Sequence, residues 1–259
     1  MLKKELDIVK IDFLTLVSTS EKQLLVYLQA RISRGQKTFI ITPNPEFFVF
    51  ARHHPWFKAC LDKADLAIPD GVGLVWASRF LNRPIKGKIA GTDLLAGLCQ
   101  VASKKGWQVA FIGGEKEVAQ KTLSVLKKRY PGLQGWAETG PELVLKNGQW
   151  TPTSQRRIDE VIKEINAKKP DLLFVAMGMG KQEKFLADNW PKLQVKSAMG
   201  VGGAFDYLSG NLPRAPKWLR RIGLEWLYRL LRQPWRWKRQ LRLMEFVGLI
   251  LQKKLTQEQ

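Results

Sequence analysis

A chain of 259 residues that is 45% hydrophobic and 25% charged can bury one ordinary core and carry a small appendage. Its 43 Lys and Arg against 23 Asp and Glu leave a formal charge of +20, beyond what solubility requires, so its partners should be anionic: nucleic acid, anionic lipid or phosphorylated substrates. Two core-type cysteines without CxxC spacing, Cys60 and Cys99, and only two histidines argue against a disulfide framework, structural zinc and a three-histidine metal centre.

Beyond Met1-Leu2-Lys3-Lys4-Glu5 the chain meets Asp7 and Asp12 before any apolar run develops, so no signal peptide is expected. Apolar runs of strand length then alternate with amphipathic stretches. In chain order the periodicity predicts a helix near 21–34, strands at 38–42 and 66–69, a helix near 92–105, a strand at 109–112, helices near 115–129 and 154–168, a strand at 172–176, a helix near 182–190 and a strand at 195–201. That alternation means an α/β fold, with a mostly parallel, Rossmann-like sheet covered by helices on both faces. Several strands run directly into Gly, Pro, Asn or Asp turns. Ligands of open α/β sheets lie at the carboxyl ends of the strands, so these turns should converge on one site.

After Asp206 the pattern changes. Pro213-Arg214-Ala215-Pro216 ends the alternation, and Trp218, Leu219, Ile222, Trp226, Leu227, Leu230 and Leu231 then recur at helical spacing. Pro234 breaks that helix and a second begins near Trp235, with Leu241, Met244, Val247 and Leu251 on one side and Arg232, Arg236, Arg239 and Arg242 near another. Residues 211–259 hold 12 Lys or Arg against 3 Asp or Glu, and four of the ten tryptophans. The expected division is a catalytic domain over 1–210 and a basic amphipathic helical appendage over 211–259. No stretch approaches the roughly 18–20 apolar residues of a spanning helix, so any membrane contact should be peripheral.

His53 and His54 are adjacent, and neighbours on a helix point about 100° apart, so they read as a solvated helix end before Pro55. General-base work then falls to a carboxylate. Asp70 is the best placed, following a buried strand in a Gly-containing turn that opens the next helix; the same position suits a helix N-cap. Thr42 and Asn44, held extended by prolines, can present a hydroxyl and an amide to a sugar. Gly113-Gly114 and Gly202-Gly203 offer backbone amides to phosphate or ribose, and Lys181, at a helix start after the longest apolar strand, can face a phosphate. GxGxxG, GxxxxGK[ST] and Asp-x-Asp are all absent, which removes the best support for dinucleotide, P-loop and metal-chelated nucleotide sites.

Taken together, Thr42-Pro-Asn-Pro-Glu46, Pro69-Asp-Gly-Val-Gly73, Gly91-Thr-Asp-Leu94, Phe111-Ile-Gly-Gly114, Tyr130-Pro-Gly132, Lys181-Gln-Glu183, Gly200-Val-Gly-Gly-Ala-Phe-Asp206, Arg214-Ala-Pro216 and Gly223-Leu-Glu-Trp-Leu-Tyr-Arg229 resemble the WecG/TagA/CpsF family of bacterial glycosyltransferases. The likeness runs in order from about residue 37 to 242. It implies transfer of a sugar, commonly N-acetylmannosamine, from a UDP donor to GlcNAc on undecaprenyl diphosphate, with inversion, at the cytoplasmic face of the bacterial membrane. By that likeness Asp70 is the base, and Thr42, Asn44 and Gln182 line the sugar pocket. Arg214, Arg221 and Arg229 come from the appendage to the diphosphate. UDP falls to Gly113, Gly114, Lys181, Gly202, Gly203 and Asp206. No metal or other cofactor is expected, and the implied partners are the donor, the polyprenyl-diphosphate acceptor and an anionic membrane surface, with homo-oligomerisation left open. A basic nucleic-acid-binding α/β protein is the alternative; it explains the charge but not the polar strand-end turns, and no nucleic-acid partner is expected. A nucleotide-dependent oxidoreductase lacks its glycine fingerprint.

Overall fold

The computed structural model describes residues 6–234 and 237–257, apart from the side chains of 217, 221 and 238–240. Trp235 and Arg236, and the side chains of Arg221 and Arg239, therefore lie outside the described residues.

Ten strands are present among them: β1 (Ile8–Ile11), β2 (Leu14–Val17), β3 (Thr38–Ile41), β4 (Leu66–Ala67), β5 (Gln108–Gly113), β6 (Gln134–Glu138), β7 (Leu145–Lys146), β8 (Gln149–Trp150), β9 (Leu172–Ala176) and β10 (Ser197–Gly200). Eight of them form one sheet in the order β1-β2-β4-β3-β10-β9-β5-β6, and β7-β8 is a separate hairpin. Only β1 pairs antiparallel within the large sheet. The five strands read from the sequence are the contiguous parallel centre, β4-β3-β10-β9-β5, where both faces are covered and the runs are continuously apolar. The strands not anticipated are the edges and the hairpin: in β6, Gln-Gly-Trp-Ala-Glu, no residue is fully buried, so no apolar run marks it.

The helices are α1 (Glu21–Ser33), α2 (Pro45–His53), α3 (Pro55–Asp62), α4 (Val72–Phe80), α5 (Gly91–Lys105), α6 (Val118–Arg129), α7 (Pro152–Lys168), α8 (Lys181–Asn189), α9 (Ala204–Leu208), α10 (Lys217–Arg221), α11 (Glu225–Arg232) and α12 (Trp237–Gln257). One face of the sheet packs against α2, α3, α4, α7, α8 and α12. The other packs against α1, α5, α6 and α9. Local chemistry sets the boundaries: Ser20 and Gln23 form a capping box on α1, and Gly106, left-handed at φ 68°, closes α5.

One expectation for the C-terminal segment changes. The single helix read over 218–231 is broken at Gly223 (φ 83°), where an added Cβ would stand 2.4 Å from Val72 Cγ1. The chain bends there to lie against the start of α4. The second helix, α12, joins the main core: Phe246 and Ile250 are completely buried, in the same core as Phe48, and Phe246 meets the Phe48 ring edge-on at 5.2 Å. Lys253 and Arg52 both pair with Asp12, at 3.0 and 2.9 Å, and Arg242 lies over the Phe50 ring. His53, exposed at the end of α2 as expected, pairs with Glu245 of α12. The opposite side of this segment stays bare: Trp218, Ile222, Trp226, Leu231, Trp237, Leu241, Met244, Leu251 and Leu255 are all exposed. No helix among the described residues is long and apolar enough to cross a membrane.

Candidate active site

The carboxyl ends of β3, β4, β5, β9 and β10 open into one cleft of about 1280 Å³, with residues of α11 forming one wall. The strand-end turns therefore do converge. Asp70 sits in it, in the turn between β4 and α4. Its own N–H donates to Pro43 O at 2.9 Å, which ties the turn to the end of β3. Gly71 is the helix N-cap, so Asp70 stands one residue outside α4 and the capping reading of this side chain does not apply. Its carboxylate instead accepts from the backbone N–H groups of Gly91 and Gly71. Burial, then the nearby Glu225 carboxylate, push Asp70 up to about 6, against those two N–H groups and Lys88. A carboxyl tuned this way, still reachable from the cleft, is equipped to take a proton near neutral pH.

Thr42 and Asn44 line the cleft at the end of β3. Asn44 Oδ1 caps α2 by accepting from Phe47 N at 3.1 Å, which leaves its amide N–H groups as the donors a ligand can meet. Gln182 also lines the cleft but is 3% exposed and mostly engaged by protein. Its Oε1 accepts from Gly202 N at 2.9 Å, and its Nε2 donates to Glu183 Oε1 at 2.6 Å. Glu183, whose other oxygen accepts from Gly180 N at 2.7 Å, is pushed up to about 7 by burial against these donors. Gln182 thus bolts the turn after β9 to the turn after β10 and keeps one amide N–H in reserve.

All four glycines expected at the nucleotide line the cleft, but not all of their amides are free. Gly114 N–H is spent on Ala176 O at 2.8 Å, and Gly202 N–H on Gln182. Their contribution is close approach. At Gly203 an added Cβ would stand 2.8 Å from Arg229 Nη2, so the missing side chain is what lets this guanidinium rest on the turn.

The cations divide into bound and available. Arg214 is held by both oxygens of Asp93, with Nη2–Oδ2 at 2.8 Å, and its Nε lies 3.5 Å from Glu225 Oε1. Arg229 packs over the Tyr207 ring at 5.1 Å, near Asp206, and its buried Nε–H has no hydrogen-bond partner among the described residues. Lys181 faces the cleft with no ion-pair partner among them. Sequence reasoning missed Lys88, Lys116 and Glu225 as cleft residues, although Glu225 lies inside a motif singled out there; an acid on an amphipathic helix carries no signal of the cavity it lines. Among the described lining residues five Lys or Arg face six Asp or Glu, so the cleft has no cationic track of the kind a nucleic-acid backbone needs. No three His, Cys, Asp or Glu side chains gather into a metal-binding group among the described residues.

Comparison with known proteins adds to this geometry. Residues 8–259 match the family model described as "Glycosyl transferase WecG/TagA/CpsF family". The chain is 36% identical over 220 residues, 85% of its length and 81% of the relative's, to the N-acetylglucosaminyldiphosphoundecaprenol N-acetyl-beta-D-mannosaminyltransferase of Bacillus spizizenii. It is 35% identical to the protein of that name from Bacillus subtilis, over 82% of this chain and 78% of the relative. With one from Staphylococcus aureus the figures are 31% identity, 78% and 73%.

Proposed function

The chain belongs to the WecG/TagA/CpsF family of glycosyl transferases, and from that membership we propose that it moves N-acetylmannosamine from a UDP donor to GlcNAc carried on undecaprenyl diphosphate. The observation that carries this reading is Asp70: a carboxyl in the cleft, anchored by two backbone N–H groups and pushed up to about 6. In the proposed step the acceptor hydroxyl oxygen attacks the anomeric carbon from the face opposite UDP. The new C–O bond forms as the bond to the UDP oxygen breaks, the hydroxyl proton passes to Asp70, and the anomeric centre inverts. Lys181, Lys88, Lys116 and Arg229 are positioned to take the charge of the departing diphosphate, so the reaction is read as metal-independent. Thr42, Asn44 and the spare N–H of Gln182 address the sugar. Arg214, at the edge of the cleft, addresses the acceptor diphosphate; Arg221, given the same role by the family likeness, has its side chain outside the described residues.

The exposed Trp and Leu side chains of α10, α11 and α12, together with the basic tail, support a peripheral site on the anionic leaflet where such an acceptor resides. A donor screen against a short-chain GlcNAc-diphosphate lipid, scoring UDP release and product mass, tests the whole reading. Product is expected with UDP-N-acetylmannosamine. Transfer from a different UDP-sugar would keep the chemistry and change the donor, whereas no transfer from any UDP-sugar would sink the proposal.

A further inference from the structure

Asp70 does not stand alone in the cleft. Glu225, the first residue of α11, lines the same cavity, and it is delivered there by the bend at Gly223, which lies flat against Val72, two residues beyond Asp70. The charged groups around the pair come from three directions. Lys88 approaches from the segment before α5. Asp93, on the first turn of α5, grips Arg214 with both oxygens, and Arg214 in turn reaches Glu225 at 3.5 Å; Arg220 stands 3.9 Å from Asp93. The same helix start donates Gly91 N–H to Asp70. Arg214 is thus largely committed to Asp93, and its Nε–H makes no hydrogen bond with Glu225. The Glu225 carboxylate acts on Asp70 from across the cleft, pushing it up.

We infer that Glu225 is a positioning residue of the reaction centre: a second carboxylate, brought by the C-terminal segment, whose charge makes Asp70 a stronger proton acceptor. The inference rests on Asp70 being the base. A second carboxylate brought close to the first in one cleft raises the proton affinity of the first, and so keeps that acid poised for proton transfer. Burial is the larger influence on Asp70 and Glu225 the second, while Gly91, Lys88 and Gly71 work in the opposite direction. It follows that α11 contributes to the chemical step as well as to the shape of the cleft: with α11 displaced, Asp70 loses its neighbouring charge and gains solvent, and both changes weaken it as a base.

The test is the pH dependence of kcat/KM in the parent enzyme, E225Q, E225K, E225D and D70N, with a soluble short-chain acceptor. Glu225 is only partly buried, with 28% of its side chain exposed, so these substitutions fit the fold. The acidic limb is expected near pH 6 in the parent. It should fall by roughly 0.5 to 1 pH unit in E225Q, fall further in E225K, and stay in place in E225D. A purely structural role would lower activity in all three without that graded displacement. A limb unmoved in both E225Q and E225K, with D70N inactive, overturns the inference and leaves Asp70 as the base. Parental activity in D70N overturns the base assignment and this inference with it.

Discussion

Replacing Asp70 by Asn should nearly stop turnover and, at the same time, make the protein harder to unfold. A carboxyl moved from an ordinary 3.8 to about 6 on folding opposes the folded state wherever it must be ionised. Folded Asp70 holds its proton more tightly than unfolded Asp70, so its contribution to stability is present in full below the unfolded value near 4 and is lost as pH rises through 6. A displacement of about two units corresponds to about 3 kcal/mol above pH 7. Two effects reduce that figure. The side chain remains partly open to water, which screens it, and the Asn amide turns an NH2 toward one of the two backbone N–H donors, forfeiting a hydrogen bond of about 1 kcal/mol. The net gain is about 1–2 kcal/mol, or a Tm higher by about 2–6 °C for a chain of this size. Scanning calorimetry of both proteins at pH 7.5 and pH 4.0, beside a UDP-release assay, checks each half. Turnover should fall by about 10² or more, and the Tm gap should shrink at pH 4.0, where both side chains are neutral. A lower Tm for D70N at pH 7.5, or a gap indifferent to pH, would refute the account of Asp70 as a carboxyl held against its solvation.

Three further outcomes follow from the same geometry. Gly203→Ala forces its new Cβ to within 2.8 Å of Arg229 Nη2, so kcat/KM should drop roughly tenfold or more while Tm moves little; steady-state kinetics with thermal melts separate the two. Phe246→Ala removes a fully buried ring and should cost about 3–5 kcal/mol, read from the denaturant midpoint; a cost under about 1 kcal/mol would mean that α12 is not part of the core. Changing the exposed Trp237, Leu241 and Met244 together to Ser should weaken flotation with anionic liposomes and leave turnover of a short-chain acceptor intact. Undiminished flotation would remove this face as the membrane contact.

The sequence was most legible where physics leaves least choice. Strands 109–112 and 172–176 are buried on both faces, so their composition is continuously apolar and their turns must leave the sheet at one end. That rule alone gathers Thr42, Asp70, Gly113, Lys181 and Gly202 at one end of the sheet, where they line the cleft. Three kinds of feature stayed hidden. The β1-β2 edge is built from two four-residue strands too short to show a period. The break at Gly223 falls inside a run of helical spacing, and only the approach to Val72 explains it. The commitments of side chains, Arg214 to Asp93 and Gln182 to Gly202, depend on contacts 121 and 20 residues apart that no local pattern encodes.

The C-terminal segment gains the most from seeing the fold. Its composition suggested a separate appendage, yet α12 buries Phe246 and Ile250 in the main core through α2, and the first residues of α2 line the cleft. Cutting the chain near residue 211 would therefore expose that core as well as remove Glu225 and Arg229, and a loss of membrane binding in such a truncation would have two causes. Substitutions on the bare face avoid that ambiguity. Charge points the same way: among the described residues the cleft holds five cations against six carboxylates while the chain as a whole is at +20, so the excess positive charge lies mainly outside the cavity. It is available to an extended anionic surface, and inside the cleft single cations are left to meet single phosphates.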